Sequence, residues 1–242
     1  MKLSICWLYG SSMNIYGDRG NVLALAQRCR WRGIEAEIVQ SGLGDVIDSG
    51  RFDIFFWGGG QDREQINVSA DVQGVKGETL RAEIDDGAAL LSVCGGYQLL
   101  GHYYRPSDGD DLPGIGVFDA WTVAGNERFI GNIVVESTEF GELVGFENHS
   151  GLTHLGASAE PLGMVRIGRG NNGTDGTEGC RYRNAVGCYM HGALLPKNPV
   201  LSDFLILAAL RRRYGIDGLP QLDDALEVVA HSTAVQRALV RR

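Results

Sequence analysis

The chain has 242 residues, a formal net charge of -8 and a hydrophobic fraction of 44%, so it can bury a core and offers no general basic surface for nucleic acid or anionic membrane. No apolar run approaches the roughly 20 residues of a membrane span, and the start from Met1 to Gly10 is too short for the apolar centre of a signal peptide. The five cysteines, Cys6, Cys29, Cys94, Cys180 and Cys188, are odd in number and include no CxxC pair. This argues against a disulfide framework or a zinc site and for a reducing, cytoplasmic setting.

Taken in order, Leu3 to Tyr9 reads as a first strand, and Gly10 to Gly20 as a polar, glycine-bearing loop. Asn21 to Arg32 has helical spacing of apolar residues and arginines towards its end, and Gly33 stops it. Glu35 to Gln40 is a second strand. Phe52 to Trp57 is a third, almost wholly apolar and so expected to be buried on both faces. Gly58-Gly59-Gly60-Gln61-Asp62 follows at once. Glu64 to Asp86 reads as largely helical, interrupted near Gly74 and Gly77. Then come a strand from Ala88 to Val93 and a helix from Tyr97 to about Tyr104. Alternating strands and helices predict an α/β fold with a mostly parallel sheet flanked by helices. Working loops in such sheets lie at the carboxyl ends of the strands, and Gly58 to Asp62 and Cys94 to Gly96 are loops of that kind.

After Arg105 the pattern changes. Val117 to Val123, Ile130 to Ser137, Met164 to Arg169, Gly179 to Arg183 and Ala185 to Met190 read as strands without long helices between them, which predicts antiparallel or mixed pairing in the second half. Asn171 to Gly176 carries Asn-Gly and Asp-Gly hairpin signals. Pro199 to Arg213 and Leu222 to Leu239 read as closing helices. The run Arg211-Arg212-Arg213 suits the negative end of the first helix dipole better than a nucleic-acid patch. With no internal repeat or linker composition, residues 1–242 are expected to form a single domain.

The chemistry centres on Ser92-Val93-Cys94-Gly95-Gly96-Tyr97-Gln98. Strand, nucleophile, glycine turn and helix build a nucleophile elbow, although a buried structural cysteine fits the same local pattern. His191 also follows an apolar strand and precedes a glycine; an imidazole beside a thiol takes its proton and leaves a reactive thiolate. The Gly58-Gly59-Gly60 loop offers backbone amides to an oxyanion, at Gly60, with Gly95 as second donor. It lacks GxxxxGK[ST], so no phosphate-binding loop is supported, and Gly17-Asp18-Arg19-Gly20 does not match GxGxxG. Arg128 sits in an expected loop between two strands, where an arginine at the site mouth can clamp a carboxylate. His149 and His154, in an expected polar loop, have poor spacing for a metal, and no metal site is expected.

The elbow resembles that of class I (triad-type) glutamine amidotransferases, G-x-C-x-G-x-Q. Cys94, Gly96 and Gln98 match, and Ser92 replaces the leading glycine. The Cys-Gly-Gly-Tyr-Gln form resembles the cobyric acid synthase-like branch. Within it, four further stretches resemble the glutaminase subunits of lipid II isoglutaminyl synthases: Met13 to Asn21, Gly58 to Asp62, Gly145 to His149, and Tyr189 to Pro199. The resemblance implies a flavodoxin-like amidotransferase fold, Cys94 as nucleophile, His191 as base and Arg128 as the residue holding L-glutamine. It also implies a cytoplasmic heterodimer in which ammonia passes to a Mur ligase-like subunit, MurT, with ATP and Mg on that partner and no cofactor in this chain. The acceptor implied is the D-glutamate α-carboxylate of lipid II, amidated to D-isoglutamine in peptidoglycan synthesis. A cobyrinate-type or other amidation target is the alternative within the family. Outside it stand a cysteine peptidase-like hydrolase and a non-catalytic binding module of the same fold. Class I members often place an orienting acid two residues after the histidine. Here that place holds Ala193, which leaves the orienting group open, with supply by the partner as one hypothesis.

Overall fold

The computed structural model describes residues 1–240. The chain begins with β1 (Lys2–Leu8), α1 (Arg19–Trp31), β2 (Glu35–Ser41) and β3 (Ile54–Trp57). α2 (Asp62–Asp71) and α3 (Val75–Asp85) follow, broken at Gly74, whose φ of +69° ends one helix and starts the next. β4 (Ala89–Val93), α4 (Gly95–Leu100), β5 (Tyr103–Arg105) and β6 (Leu112–Pro113) complete the first half. The second half holds β7 (Ala120–Ser137), β8 (Gly141–Leu155), β9 (Gly163–Ile167), β10 (Thr177–Glu178), β11 (Cys180–Tyr182), β12 (Ala185–Cys188) and β13 (Met190–His191). Three helices close the chain: α5 (Leu194–Lys197), α6 (Pro199–Tyr214) and α7 (Ala225–Val240).

The first sheet runs β11-β12-β4-β3-β1-β2. All its pairs are parallel except β11 with β12. The chain pairs β1 with β2 on one side, then crosses to place β3 on the other, so the strand order reverses between β1 and β3. In doubly wound folds that reversal opens a crevice at the carboxyl ends of the strands. β3 lies between β1 and β4 with all four residues buried, as its unbroken apolar sequence predicts.

The second sheet is built on the antiparallel ribbon β7–β8. β7 also pairs with β5 and β9, and β8 pairs with β13. One buried apolar cluster continues from the first sheet into the second, from Leu3 and Phe55 through Phe118 to Leu143. α7 packs on the far side of the ribbon, where Ala238 meets Val134 and Val144. Two last-turn arginines of α6 are ion-paired, Arg212 to Glu83 and Asp86 and Arg213 to Asp53, and so fasten that helix end to the end of α3 and to the residue before β3.

Four segments differ from the sequence-based expectation. The helix after Cys94 ends at Leu100 and not near Tyr104, because Tyr103 to Arg105 is drawn into pairing with β6 and β7. The strands expected at Val117 to Val123 and Ile130 to Ser137 are one bent strand, β7, whose register shifts between Ala124 and Phe129. The segment around His149 is the middle of β8, not a polar loop. Its alternation is real but hidden, because its inward residues, Glu147, His149 and Thr153, are polar. The strand expected from Ala185 to Met190 divides at Tyr189, with β12 in the first sheet and β13 in the second.

Candidate active site

At the end of β4 the backbone of Cys94 takes φ +52° and ψ -110°, and α4 begins at the next residue. Positive φ in a residue with a side chain costs about 1–2 kcal/mol. It is held here by the Cys94 N–H donating to Cys188 O (2.9 Å) and the Gln98 N–H donating to Cys94 O (2.9 Å). The strained torsion is therefore on the cysteine itself. The two following glycines serve close packing: a Cβ on Gly96 would lie 2.6 Å from Trp57 O, and one on Gly95 would lie 2.9 Å from Gln65 Nε2. Tyr16 and Ala193, on two neighbouring loops, also have positive φ, so strain gathers around this corner.

His191 arrives from the other sheet. Its neighbour Tyr189 is fixed on every side. The Tyr189 N–H donates to Glu178 Oε1 (2.6 Å), its hydroxyl accepts from Gln98 Nε2 (3.1 Å) and shares a 2.7 Å bond with Thr153, and its ring stacks on His149. His191 is fully buried, and its Nδ1 lies 3.2 Å from Asp18 Oδ1. A carboxylate accepts, so the proton sits on Nδ1, while Nε2 has no hydrogen-bond partner. The thiol and the imidazole meet over Gly59, where an added Cβ would lie 3.1 Å from His191 Cε1 and 3.2 Å from Cys94 Cβ. Burial disfavours the imidazolium, but the negative charge of Cys94 and the Asp18 carboxylate outweigh it and raise the His191 pKa to about 10.

Asp18 brings a carboxylate to the imidazole where Ala193, two residues after His191, brings none. The sequence leaves the orienting group open, with the partner as one hypothetical source; the structure sets a carboxylate of this chain, at the N-cap of α1, against His191. The reason is steric. A Cβ on Gly20 would meet the Ala193 Cβ at 2.6 Å, so the first turn of α1 fills the space beside residue 193 and brings Asp18 to the imidazole. The carboxylate caps no amide of its own helix. Its Oδ2 instead accepts from the Gly59 N–H (2.7 Å), which ties the base to the glycine loop. That bond takes the Gly59 amide; the amides of Gly60 and Gly95 donate to no protein group among the described residues.

A cavity of about 400 Å³ opens beside Cys94 and is lined also by Tyr16, Gly60, Arg128, Asn148 and His149. Arg128 projects from the irregular stretch of β7, not from a loop between strands. Its Nε donates to Asn148 Oδ1 (2.7 Å) and its Nη2 to the Tyr16 hydroxyl (3.0 Å). His149 is buried and its pKa is pushed down to about 3 by burial, so it is neutral, with Nδ1 donating to Gly151 O (2.8 Å). His154 stacks on Trp121 and has no part in the cavity. The structure thus brings Cys94, His191, Gly60, Gly95 and Arg128 to one corner and adds Asp18 and Tyr16. An acid at a helix start, just after a strand-end loop, was the signal for Asp18. In the sequence it stood within the Met13 to Asn21 stretch of the resemblance and in a run that fails a dinucleotide motif, with no role assigned to it.

A buried thiol, a raised imidazole and a polar cavity suit attack on an acyl carbon, and comparison with known proteins narrows the class. Residues 4–199 match the CobB/CobQ-like glutamine amidotransferase domain. The chain is 40% identical to the Staphylococcus aureus (strain N315) lipid II isoglutaminyl synthase (glutamine-hydrolyzing) subunit GatD, over 98% of this chain and 96% of that one. It is 41% identical to the corresponding subunit of Streptococcus pneumoniae (strain ATCC BAA-255 / R6), over 93% of this chain and 87% of that one. Among solved structures, PurLQS from Thermotoga maritima superimposes with a TM-score of 0.60 at 13% identity, covering 87% of this chain and 99% of that chain, which speaks to the fold alone. Identity of this extent over nearly the full length places the chain in the CobB/CobQ-like glutamine amidotransferase family, on its GatD branch.

Proposed function

We propose that this chain is the glutamine-hydrolysing subunit of a lipid II isoglutaminyl synthase, a single amidotransferase domain over residues 1–242 acting in the cytoplasm. The observation that carries the reading is the Cys94–His191–Asp18 array at the carboxyl ends of the parallel strands, in a chain 40% identical to a GatD subunit. No described helix is long and apolar enough to cross a membrane.

In this mechanism the Cys94 thiolate attacks the side-chain carboxamide carbon of L-glutamine, and the amides of Gly60 and Gly95 hold the oxyanion. The amide C–N bond breaks as the His191 imidazolium gives its proton to the leaving nitrogen, and ammonia departs. Neutral His191 then takes a proton from water, the resulting hydroxide attacks the glutamyl thioester, and L-glutamate leaves as the thiolate is restored. Asp18 keeps the Nδ1 proton in place throughout. Arg128 binds the α-carboxylate of glutamine. Ammonia passes to a Mur ligase-like partner, MurT, which uses ATP and Mg to activate the D-glutamate α-carboxylate of lipid II, giving D-isoglutamine.

A glutamine-mimicking diazoketone tests the nucleophile directly. It is expected to alkylate Cys94 and end glutaminase activity, and Cys94→Ala is expected to be inert. Labelling elsewhere, or activity in Cys94→Ala, overturns the assignment. Copurification of a ligase subunit, with lipid II amidated only when glutamine and both chains are present, tests the acceptor.

A further inference from the structure

The Arg128 guanidinium is only partly used. Nε and Nη2 both donate to Asn148, through Oδ1 at 2.7 Å and the backbone oxygen at 3.4 Å, and Nη2 also donates to the Tyr16 hydroxyl at 3.0 Å. Asn148 therefore covers the Nε–Nη2 side, and a carboxylate cannot take the side-on fork there. Nη1 donates to no group among the described residues and keeps both protons. The Tyr16 oxygen, already accepting from Nη2, has its own proton to give.

Tyr16 is also built into the catalytic corner. Its ring meets the His191 ring edge-on, with centroids 5.0 Å apart and planes at 77°. It has φ +53° in a turn fastened on both sides, by the Ile15 N–H donating to Gly59 O and the Asp18 N–H donating to Ile15 O. The residue is 45% exposed and lines the cavity with Cys94 and Arg128. A side chain held in a strained turn, between the cation and the base, with a free O–H at the cavity, has the form of a substrate contact.

We infer that Tyr16 is the second half of the α-carboxylate subsite: one carboxylate oxygen of glutamine takes Nη1 of Arg128, and the other takes the Tyr16 O–H. The phenol relays the arginine's polarisation, since a hydroxyl that accepts from a guanidinium is a stronger donor. The same ring covers the imidazole, so filling the carboxylate subsite fixes the packing of the base. Amides without an α-carboxylate forfeit both effects. The inference rests on the glutaminase reading above and adds to it the residue that selects an α-amino acid amide.

The test uses the full chain. In the Cys94→Ala background, L-glutamine binding is measured by calorimetry with Tyr16 intact and with Tyr16→Phe, and melting temperature is recorded for both. Loss of one hydrogen bond to a charged group is expected to weaken binding about tenfold. Melting is expected to stay within about a degree, because the hydroxyl is at the surface of the cavity and the ring is kept. In the Cys94-containing chain with its partner, Tyr16→Phe is expected to raise KM about tenfold with kcat within about twofold. Tyr16→Ala is expected to lower kcat as well, because the imidazole loses its cover. Glutamine affinity unchanged by Tyr16→Phe overturns the subsite alone. So does a loss of affinity accompanied by a melting drop of several degrees, which marks a structural role. No glutamine binding with Tyr16 intact overturns the functional reading, and this inference with it.

Discussion

Replacing Asp18 by Asn tests whether the orienting acid belongs to this chain. The two Asp18 oxygens have separate partners, His191 Nδ1 at 3.2 Å and the Gly59 N–H at 2.7 Å. Asn is nearly isosteric, and the Gly59 donor requires an acceptor, so the Asn oxygen stays on Gly59. The amide nitrogen, a donor, is then left facing Nδ1. The imidazole answers by moving its proton to Nε2, the atom that must take one from the thiol. Losing a hydrogen bond to a charged group in a fully buried pair costs about 1.5–3 kcal/mol, roughly ten- to 150-fold in rate. The tautomer change adds to this, and in Ser–His–Asp hydrolases the same exchange costs about 10⁴-fold in kcat. The expected result is a fall of about 10²–10⁴ in kcat with little change in KM for glutamine. Because the carboxylate helps to raise the His191 pKa, its loss also lowers that pKa. Alkylation of Cys94 by iodoacetamide, followed against pH, reads the imidazolium–thiolate pair without turnover, and the limb that reports loss of the imidazolium is expected to move to lower pH. A kcat within about threefold of the parent, with an unmoved alkylation profile, refutes the role given to Asp18 and returns the orienting group to the partner.

Other substitutions probe separate links. Arg128→Lys replaces the forked guanidinium by a point charge and is expected to raise KM for glutamine about tenfold or more, with kcat little changed, in steady-state glutaminase assays. Glu178 is wholly buried, and burial raises its pKa to about 8. A carboxyl protonated in the fold and ionised in the unfolded chain stabilises fully below about pH 4.5, and that contribution is lost as pH rises towards 8. Glu178→Gln keeps an acceptor for the Tyr189 N–H and is expected to flatten the fall in melting temperature between pH 5 and 8. Arg28 is 3% exposed and pairs with Asp203 and Asp224, tying α1 to α6 and to the start of α7. Arg28→Ala is expected to cost about 3 kcal/mol by denaturant titration, the low end for a buried pair because both carboxylates are partly solvated.

Much of the fold was legible because the first half follows simple periodicities. β1, β2, β3 and β4 are apolar or alternating runs bounded by glycine, and their order fixed the loops that carry Gly58 to Gly60 and Cys94. β8 was not legible as a strand because its inward face holds Glu147, His149 and Thr153, polar groups satisfied only by tertiary partners such as the Arg169 and Gly170 amides on Glu147. Arg128 was placed in a loop for a related reason: Gly125 and Asn126 signal a turn, yet the ribbon carries them through as an irregularity. Cys94 and His191 could be named from strand ends and glycines. Asp18 could not, because 173 residues separate it from His191 and tertiary contacts, such as Gly20 packed on Ala193 and the Leu195 N–H donating to Asn21 Oδ1, bring them together.

The division of one strand at Tyr189 also sets the order in which the enzyme becomes competent. Cys94 and Asp18 lie in the part of the chain made first, and a nascent domain generally folds from its N-terminal side. The imidazole comes at residue 191, after the whole β7–β8 ribbon, and pairs with β8 and not with the sheet that carries the thiol. A ribosome-bound chain that has made β1 to β4 therefore carries the thiol and the acid without the base, because β12, the parallel neighbour of β4, arrives only after the ribbon. The corner closes only when β12 and β13, on either side of Tyr189, have joined their two sheets, so the thiol has no imidazole beside it until the second sheet is in place.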